Sequence, residues 1–418
     1  MERALLVTVK LDSEKDQWRL EDSAQELEEL AAACLVDVVD NIPVLRDRPT
    51  ANLFVGKGKA EELSILAQEE NIDTVVFNHD LTGTQQRNLE DILGKKVIDR
   101  TQLILDIFAR HAKTPEGKMQ VELAQLQYLM PRLVGKDSDL DRLGGVGMRG
   151  PGEQKLEIDR RRIRKHIDSL KEDLKQLALH RQTIRKRRKE NSIPSVALVG
   201  YTSAGKSTLL NTLTGAGQTV SSGLFTTLDP LSKNLQLPSG ENIVISDTVG
   251  FLHNLPHHLV EAFKATLEEV MEADVLLHVL DINNPLAKEH TKACLGVLKD
   301  LGAGEKKIIT VLNKVDLLTD LSWLENLSCE FVNPVVISAK TGQNIDKLLE
   351  RIADSFESRM KLVELIVPHG RMDLIDLFYR EGQVKKVEYT EKGIEIEVNL
   401  PKIICAKVFR DKSIKIID

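Results

Sequence analysis

The run Gly200-Tyr-Thr-Ser-Ala-Gly205-Lys206-Ser207 has the spacing of a phosphate cradle. Glycines at either end let the backbone fold so that its N–H groups converge, and a helix opening at the lysine adds its positive terminus. In that arrangement the N–H groups of Thr202, Ser203, Ala204 and Gly205 face the phosphates, with Thr208 following in the first helical turn. Lys206 reaches the β- and γ-phosphates, and the Ser207 hydroxyl ligates Mg²⁺. Three further pieces follow in order. Asp247-Thr-Val-Gly250 offers a carboxylate for the Mg²⁺ shell and a backbone N–H to sense the γ-phosphate. Asn313-Lys314-Val-Asp316 offers a carboxylate that accepts both the ring N–H and the exocyclic amine of guanine. Adenine presents no such pair of donors, so Asp316 selects GTP over ATP. Ser338-Ala339-Lys340 places the Ala339 N–H where it can donate to guanine O6.

Between the first two pieces lies Phe225-Thr-Thr-Leu-Asp-Pro230. Thr227 is the residue expected to close on Mg²⁺ and the γ-phosphate, with Thr226 as its competitor. Lys206, Thr227 and Gly250 are therefore the catalytic candidates, and Ser207, Thr227 and Asp247 the metal ligands. Many GTPases follow the Gly250 position with a glutamine that orients the attacking water. This chain has Phe251, whose ring can neither accept a proton nor align a water. Slow intrinsic hydrolysis follows, faster once a partner supplies the missing group. His253 is a nearby but weaker substitute.

These pieces need strands behind them. Val196–Val199, Ile243–Ser246, Ile308–Leu312 and Pro334–Ile337 each end at one motif, and a helix is expected over Lys206–Leu213. That is the pattern of an α/β P-loop domain, over residues 192–357. Residues 1–113 alternate strand-like runs with helical ones and predict a smaller α/β domain with a parallel sheet. The strand-like runs are 4–9, 34–40, 52–56, 73–78 and 95–99, and the helical ones 22–33, 59–69, 82–93 and 101–111. Within it, Gly56-Lys-Gly58-Lys59 can bind an anion or serve as a plain turn; the turn is the simpler reading.

Residues 114–191 change period. Met119, Leu123, Leu126, Met130 and Leu133 form one heptad seam, which Pro131 should kink or end. Leu156, Ile163, Ile167, Leu170, Leu174, Leu177 and Ile184 form a second, on a helix reaching about 50 Å. Two seams joined by a glycine-rich turn predict an antiparallel helical hairpin. Residues 358–418 read as a small α+β unit: a helix over Arg371–Phe378, a hairpin turning at Glu391–Gly393, and a strand at Ala406–Arg410.

At 418 residues and 42% hydrophobic content, the chain has room for about three domains, each with a core. Its net charge of −7 argues against a general nucleic-acid binder, but the charge is segregated. Glu153–Glu190 carries 14 Lys and Arg against 7 Asp and Glu, whereas Ile193–Glu357 carries 12 against 20. A basic arm on an acidic body points to a polyanionic partner. The helix lacks interleaved aromatics, so contact with the backbone of structured RNA is expected rather than base stacking. Cys34, Cys294, Cys329 and Cys405 are too scattered for a zinc site or a disulfide framework, which suits a reduced cytoplasm. No apolar run is long enough for a membrane span.

Gly144–Gly152, G-G-V-G-M-R-G-P-G, contains the letters of a dinucleotide fingerprint. That fingerprint requires a preceding strand, and here helical sequence flanks both sides. The stretch reads instead as a thin tip between two helices, with Pro151 starting the second.

Together with F-T-T-L-D-P and D-T-V-G-F, the runs FVGKGKAEEL (54–63), DRTQLILDIFARHAKTPEGKMQVELAQL (99–126) and GMRGPGEQKLEIDRRRI (147–163) resemble the HflX family of translation-associated GTPases. The likeness covers residues 1–360. It implies nucleotide contacts at Lys206, Ser207, Thr227, Asp247, Gly250, Asn313 and Asp316, with Mg²⁺ as cofactor. Some relatives carry Asn where this chain has Ser203, where it helps hold potassium, so potassium stimulation is not expected here. Family members bind the large ribosomal subunit with the hairpin directed at the peptidyl transferase centre. This places RNA contacts at Gly147, Arg149, Gly150, Arg160, Arg161, Arg162 and Arg164. The implied function is GTP-dependent splitting or rescue of stalled or idle ribosomes by a monomer. The alternatives are a subunit-assembly GTPase and a GTP-switched protein-binding module. The family has also been credited with ATP binding in its N-terminal half, but no second P-loop stands there.

Overall fold

The computed structural model describes residues 2–13, 18–133, 151–190, 193–215, 225, 228–229, 231–252, 259, 264–318, 331–390, 393–409, 411 and 414–417. They form two compact bodies. One comprises Met1–His180 with Ser221–Asp229 and Leu252–Thr266; the other comprises Arg181–Val220, Pro230–Phe251 and Leu267–Asp418.

The first body opens with β1 (Arg3–Leu11), α1 (Leu20–Ala33), β2 (Asp37–Arg46), α2 (Lys57–Glu69), β3 (Thr74–Phe77), α3 (Gly83–Leu93), β4 (Lys96–Ile98) and α4 (Arg100–His111). Its sheet runs β2-β1-β3-β4 and every pairing is parallel. Ala4 to Val7 of β1 are wholly buried, as expected of an inner strand covered by helices on both faces. The strand expected at 52–56 is a turn with a single Thr50–Phe54 bridge. Left-handed backbone at Phe54 (φ 60°) and Gly56 (φ 90°) breaks the extended run.

Two helices of this domain close their own N-termini. The Thr82 hydroxyl accepts from the Gln85 N–H at 3.2 Å, and the Asp99 carboxylate accepts from the Gln102 N–H at 2.9 Å. Asp99 is completely buried, also accepts from the Leu81 N–H, and pairs with Arg132 at 2.9 Å. Burial pushes its carboxyl above the ordinary value, while these donors and Arg132 oppose that shift.

The hairpin begins with α5 (Pro115–Leu129), whose cap is Thr114, and passes into a 3-10 turn at Met130–Leu133 around Pro131. Arg132 on that turn stacks over Tyr128 and donates to the Leu81 carbonyl. Together with Asp99, this fastens the helix base to the sheet domain. The second helix, α6 (Pro151–Glu190), runs unbroken for 40 residues, about 60 Å. Leu123, Ile167 and Leu170 form the centre of the seam, with Met119, Leu126, Met130, Ile163 and Leu174 packed against it. The seam does not extend to Ile184, which is 41% exposed.

The second body holds the sheet that carries the motifs. Its elements are β5 (Ser195–Val199), α7 (Lys206–Thr214), β6 (Leu231–Gln236), β7 (Asn242–Asp247), α8 (Lys264–Glu272), β8 (Val275–Asp281), α9 (Ala287–Asp300), β9 (Lys307–Asn313), β10 (Pro334–Val336) and α10 (Ile345–Phe356). The order is β10-β9-β8-β5-β7-β6, parallel except for the edge strand β6. Near Ile184, charge replaces apolar packing on α6. Arg181 and Arg185 each reach Glu268 of α8 at 2.9 Å, and Arg185 also meets Glu269 at 2.7 Å.

The chain ends in β11 (Met360–Val367), α11 (Met372–Glu381), β12 (Gln383–Thr390), β13 (Gly393–Pro401), α12 (Lys402–Val408) and β14 (Lys415–Ile417). This antiparallel sheet runs β12-β13-β11-β14. Of the strand expected at 406–410, Ala406–Val408 are instead the end of α12, and Arg410 lies outside the described residues. Cys405 and Val408, three residues apart, turn one helical face into the core. Among the described residues the cysteines are Cys34, Cys294 and Cys405, all buried free thiols. No described helix is long and apolar enough to cross a membrane.

Candidate nucleotide site

All four motifs of the second body end at the carboxyl edge of its parallel strands, where loops between strand and helix leave room for a ligand. β5 delivers the loop 200–205. Gly200 (φ 149°) takes a conformation closed to other residues, and a Cβ there would strike the Val279 carbonyl. Gly205 (φ 96°) lies so close to Asn313 that a side chain would displace its amide. The N-terminus of α7 opens beyond this loop, and no side chain caps it.

Lys206 is buried, and its Nζ donates to the Gly200 and Tyr201 carbonyls at 3.1 and 2.8 Å. Burial lowers its pKa to about 8, against the upward pull of Asp247. An ammonium held this way has lost water and gained only neutral partners, so an anion at the loop would stabilise it. Below it on β8 lies His278, lowered to about 4 by burial and by the charge of Lys206. It is neutral at physiological pH and adds no second positive charge. The Tyr201 ring stacks on His290 of α9 with centroids 3.7 Å apart, backing the loop.

The Ser207 hydroxyl donates to the Asp247 carboxylate at 2.6 Å. A hydroxyl and a carboxylate oxygen in contact form a hard, oxygen-only donor pair, which suits Mg²⁺. Gly250 is pressed against the loop: a Cβ would lie 2.8 Å from the Thr202 Cα and 3.0 Å from the Lys206 Nζ. Phe251 is buried and zipped to the loop, its N–H bonded to the Gly200 carbonyl and its carbonyl to the Thr202 N–H, both at 3.0 Å. It has no face turned toward an attacking water.

Asn313 ties two motifs together. Its amide donates to the Ala204 carbonyl at 2.9 Å, and its Oδ1 accepts from the Ala339 N–H at 2.9 Å. The Ala339 donor expected for guanine O6 is thus given to Asn313, because the strand ends of β9 and β10 lie side by side. Asp316 is exposed and accepts from the Ser338 hydroxyl at 2.6 Å. Lys314 (φ 68°) reaches Asp281 at 2.6 Å. Asp281 belongs to none of the four motifs. It ends β8 directly opposite Asn313, a strand-end position that could have flagged it. Ser203 and Lys340 are exposed, and Thr208 is half-buried.

Other expected positions fall elsewhere. Phe225 packs edge-on against Phe108 of α4, with centroids 4.7 Å apart, and is buried there. Its ring is a core contact of the first body. Thr226, Thr227 and His253 lie outside the described residues, as do Gly147, Arg149 and Gly150. Arg161, Arg162 and Arg164 are exposed on α6 and Arg160 is half-buried, whereas the ion pairs at Arg181 and Arg185 commit that end of the basic run to the protein itself. At the Gly56 turn, Lys57 pairs with Glu61, Lys59 pairs with Glu62, and the Arg46 guanidinium lies beside Gly56.

The chain has relatives along most of its length. Residues 21–109 match the family described as GTP-binding GTPase N-terminal, 111–188 the GTP-binding GTPase middle region, and 195–314 the 50S ribosome-binding GTPase. The GTPase HflX of Caldanaerobacter subterraneus subsp. tengcongensis is 46% identical over 400 residues, 96% of this chain and 91% of that protein. The chain belongs to the HflX family. The HflX GTPases of Lacrimispora saccharolytica and Escherichia coli K12 are 44% and 39% identical, over 97% and 96% of this chain and 95% and 94% of theirs. A solved structure of SsGBP with GDP is 26% identical, covers 85% of this chain and 98% of its own, and superposes with a TM-score of 0.48. HflX membership extends across the terminal sheet domain as well, since these alignments cover nearly the whole chain.

Proposed function

We propose that this HflX-family chain is a cytoplasmic, monomeric, Mg²⁺-dependent GTPase that engages the large ribosomal subunit and splits or rescues stalled or idle ribosomes. The observation that carries this reading is the convergence on one uncapped helix N-terminus of Lys206, the Ser207–Asp247 pair and the Asn313 bridge. The N–H groups of residues 202–205 receive the phosphates, and Lys206 moves its donors from two carbonyls to them. Ser207 and Asp247 hold Mg²⁺, with Thr227 completing the shell once its loop closes. The metal neutralises charge on the phosphate oxygens. Asp316 takes the guanine edge, with Lys314, Ser338 and Lys340 around it, and the Gly250 N–H senses the γ-phosphate. With Phe251 buried, the group that orients water comes from a partner, so turnover is slow in isolation.

The working parts are the α/β domain 1–113, the hairpin 114–191, the GTPase domain 192–357 and the terminal domain 358–418. Arg160, Arg161, Arg162 and Arg164, with the tip residues Gly147, Arg149 and Gly150, meet ribosomal RNA. The family description of residues 195–314 as a 50S ribosome-binding GTPase supports that target.

Sucrose-gradient sedimentation of ribosomes with GDP or a non-hydrolysable GTP analogue tests the reading. Separated subunits, with the protein on the large one only in the analogue, are expected. Protein at the top of the gradient in both states would remove the ribosome as target. Asp316→Asn should shift preference from GTP to xanthine nucleotides; an unchanged GTP preference would remove the base assignment.

A further inference from the structure

The first domain fills the helix N-termini at the carboxyl edge of its sheet with Thr82 and Asp99, and opens at the other edge. β1, β3 and β4 begin there at Arg3, Thr74 and Lys96, and α1 and α4 end there. Among them lies a cavity of about 360 Å³, with an apolar wall of Val36, Val76, Ile98 and Leu103. The buried Cys34 also lines it. An apolar cavity of this size with a few polar groups on its lining suits a small molecule.

Four charged side chains stand on the lining, and two of them are spoken for. Glu2 accepts from the Thr74 hydroxyl and pairs with Lys96 at 3.4 Å. The other two, Asp106 and Arg110, lie one turn apart on the same face of α4. Opposite charges at that spacing ordinarily pair. Among the described residues, however, neither side chain has a hydrogen bond or an ion pair. Burial pushes the Asp106 carboxyl above its ordinary value, although the charges of Lys96 and Arg110 oppose the shift. Its charged form lacks a donor, and a bound ammonium would supply one. The carbonyl ends of α1 and α4 add partial negative charge at this edge. Arg110 is exposed, and its guanidinium is suited to a carboxylate. A lone cation here would be opposed by Arg110 and Lys96, and a lone anion by Asp106 and Glu2. A zwitterion satisfies both signs, and its two charged groups sit as close together as neighbours on one helix face require.

We propose that this cavity binds a free amino acid with an aliphatic side chain. Its ammonium meets Asp106, its carboxylate meets Arg110, and its side chain lies against Val36, Val76, Ile98 and Leu103. The site lies wholly within the first body and is independent of the nucleotide reading.

Calorimetric titration of the full chain with L-leucine tests this, and a Kd of about 1 mM or tighter is expected. Isoamylamine and isocaproate keep the side chain but lose one charge each, and each should bind about tenfold more weakly. Asp106→Asn and Arg110→Gln should each weaken leucine binding about tenfold as well, with the urea midpoint kept. Alkylation of Cys34, followed by mass spectrometry, locates the ligand and needs no variant. Leucine at about ten times its Kd should slow Cys34 labelling about tenfold and leave Cys294 and Cys405 unaffected. No leucine binding at about 10 mM overturns the proposal. So does an amine or a carboxylate alone that binds as tightly as leucine, or binding that both charge variants keep. Leucine that binds without protecting Cys34 occupies another place, and the proposal fails then too.

Discussion

Helices α3 and α4 of the first domain and α7 of the GTPase domain all begin at the carboxyl edges of parallel strands, and they treat their N-termini in opposite ways; α2, which follows Gly56 without a side-chain cap, sides with α7. In the first domain Thr82 and Asp99 fill the N-termini of α3 and α4 with the protein's own oxygens. In the GTPase domain the N-terminus of α7 follows glycine, with no side chain capping it and a buried ammonium beside it. The same architecture thus gives a closed scaffold in one place and an anion receptor in the other. The difference is whether a short acceptor side chain stands at the cap. A cap that is filled stabilises the free protein; an open one can receive an anion, and what sets α7 apart from the equally open α2 is the buried ammonium of Lys206 beside it.

Removing a filled cap should give the largest effect. Asp99→Ala takes away the α4 cap and strands Arg132, so the first domain should lose about 3–5 kcal/mol. Urea unfolding followed by fluorescence of Trp18, buried in that domain, would measure it. A loss under about 1 kcal/mol would mean that the buried pair is not what fastens the hairpin base.

The open site should respond with the opposite sign. Lys206 ordinarily titrates near 10.5 but near 8 when folded. Below pH 8 both states hold the proton, and the folded protein carries the full burden of a desolvated ammonium, about 3 kcal/mol. Between 8 and 10.5 the folded state releases its proton first, so stability rises with pH. Lys206→Met should therefore melt higher than the nucleotide-free wild type at pH 7, with the gap shrinking above pH 8, while nucleotide affinity collapses. A lower melting temperature for the variant at pH 7 would show that the two carbonyl bonds outweigh burial.

The smallest effect tests a neutral cap. Thr82→Ala should cost about 1 kcal/mol, seen as faster amide exchange in the first turn of α3 without a change at α4. An effect as large as that of Asp99→Ala would erase the distinction between a neutral cap and a charged, buried one.

Much of the scaffold was legible because its signals are local. The alternation of strand and helix in 1–113, the glycine spacing of 200–207 and the seam from Met119 to Leu174 all depend on neighbours within a few residues. The misses came where the deciding partner is distant. Residues 406–408 carry strand-like character, yet the core beneath the terminal sheet takes Cys405 and Val408 from a helix. Ile184 continues a heptad, but Glu268 and Glu269 meet its neighbours instead of an apolar partner.

By itself the sequence singled out which residues are expected to hold phosphate, metal and guanine, because that expectation follows from side-chain type and short backbone spacing. Only the tertiary structure decided which of their hydrogen-bonding groups are already committed. Ala339 gives its N–H to Asn313, Arg185 its charge to α8, and Asp229 its carboxylate to α5. Each commitment joins residues many positions apart, and burial and geometry, which no local pattern encodes, choose the partner.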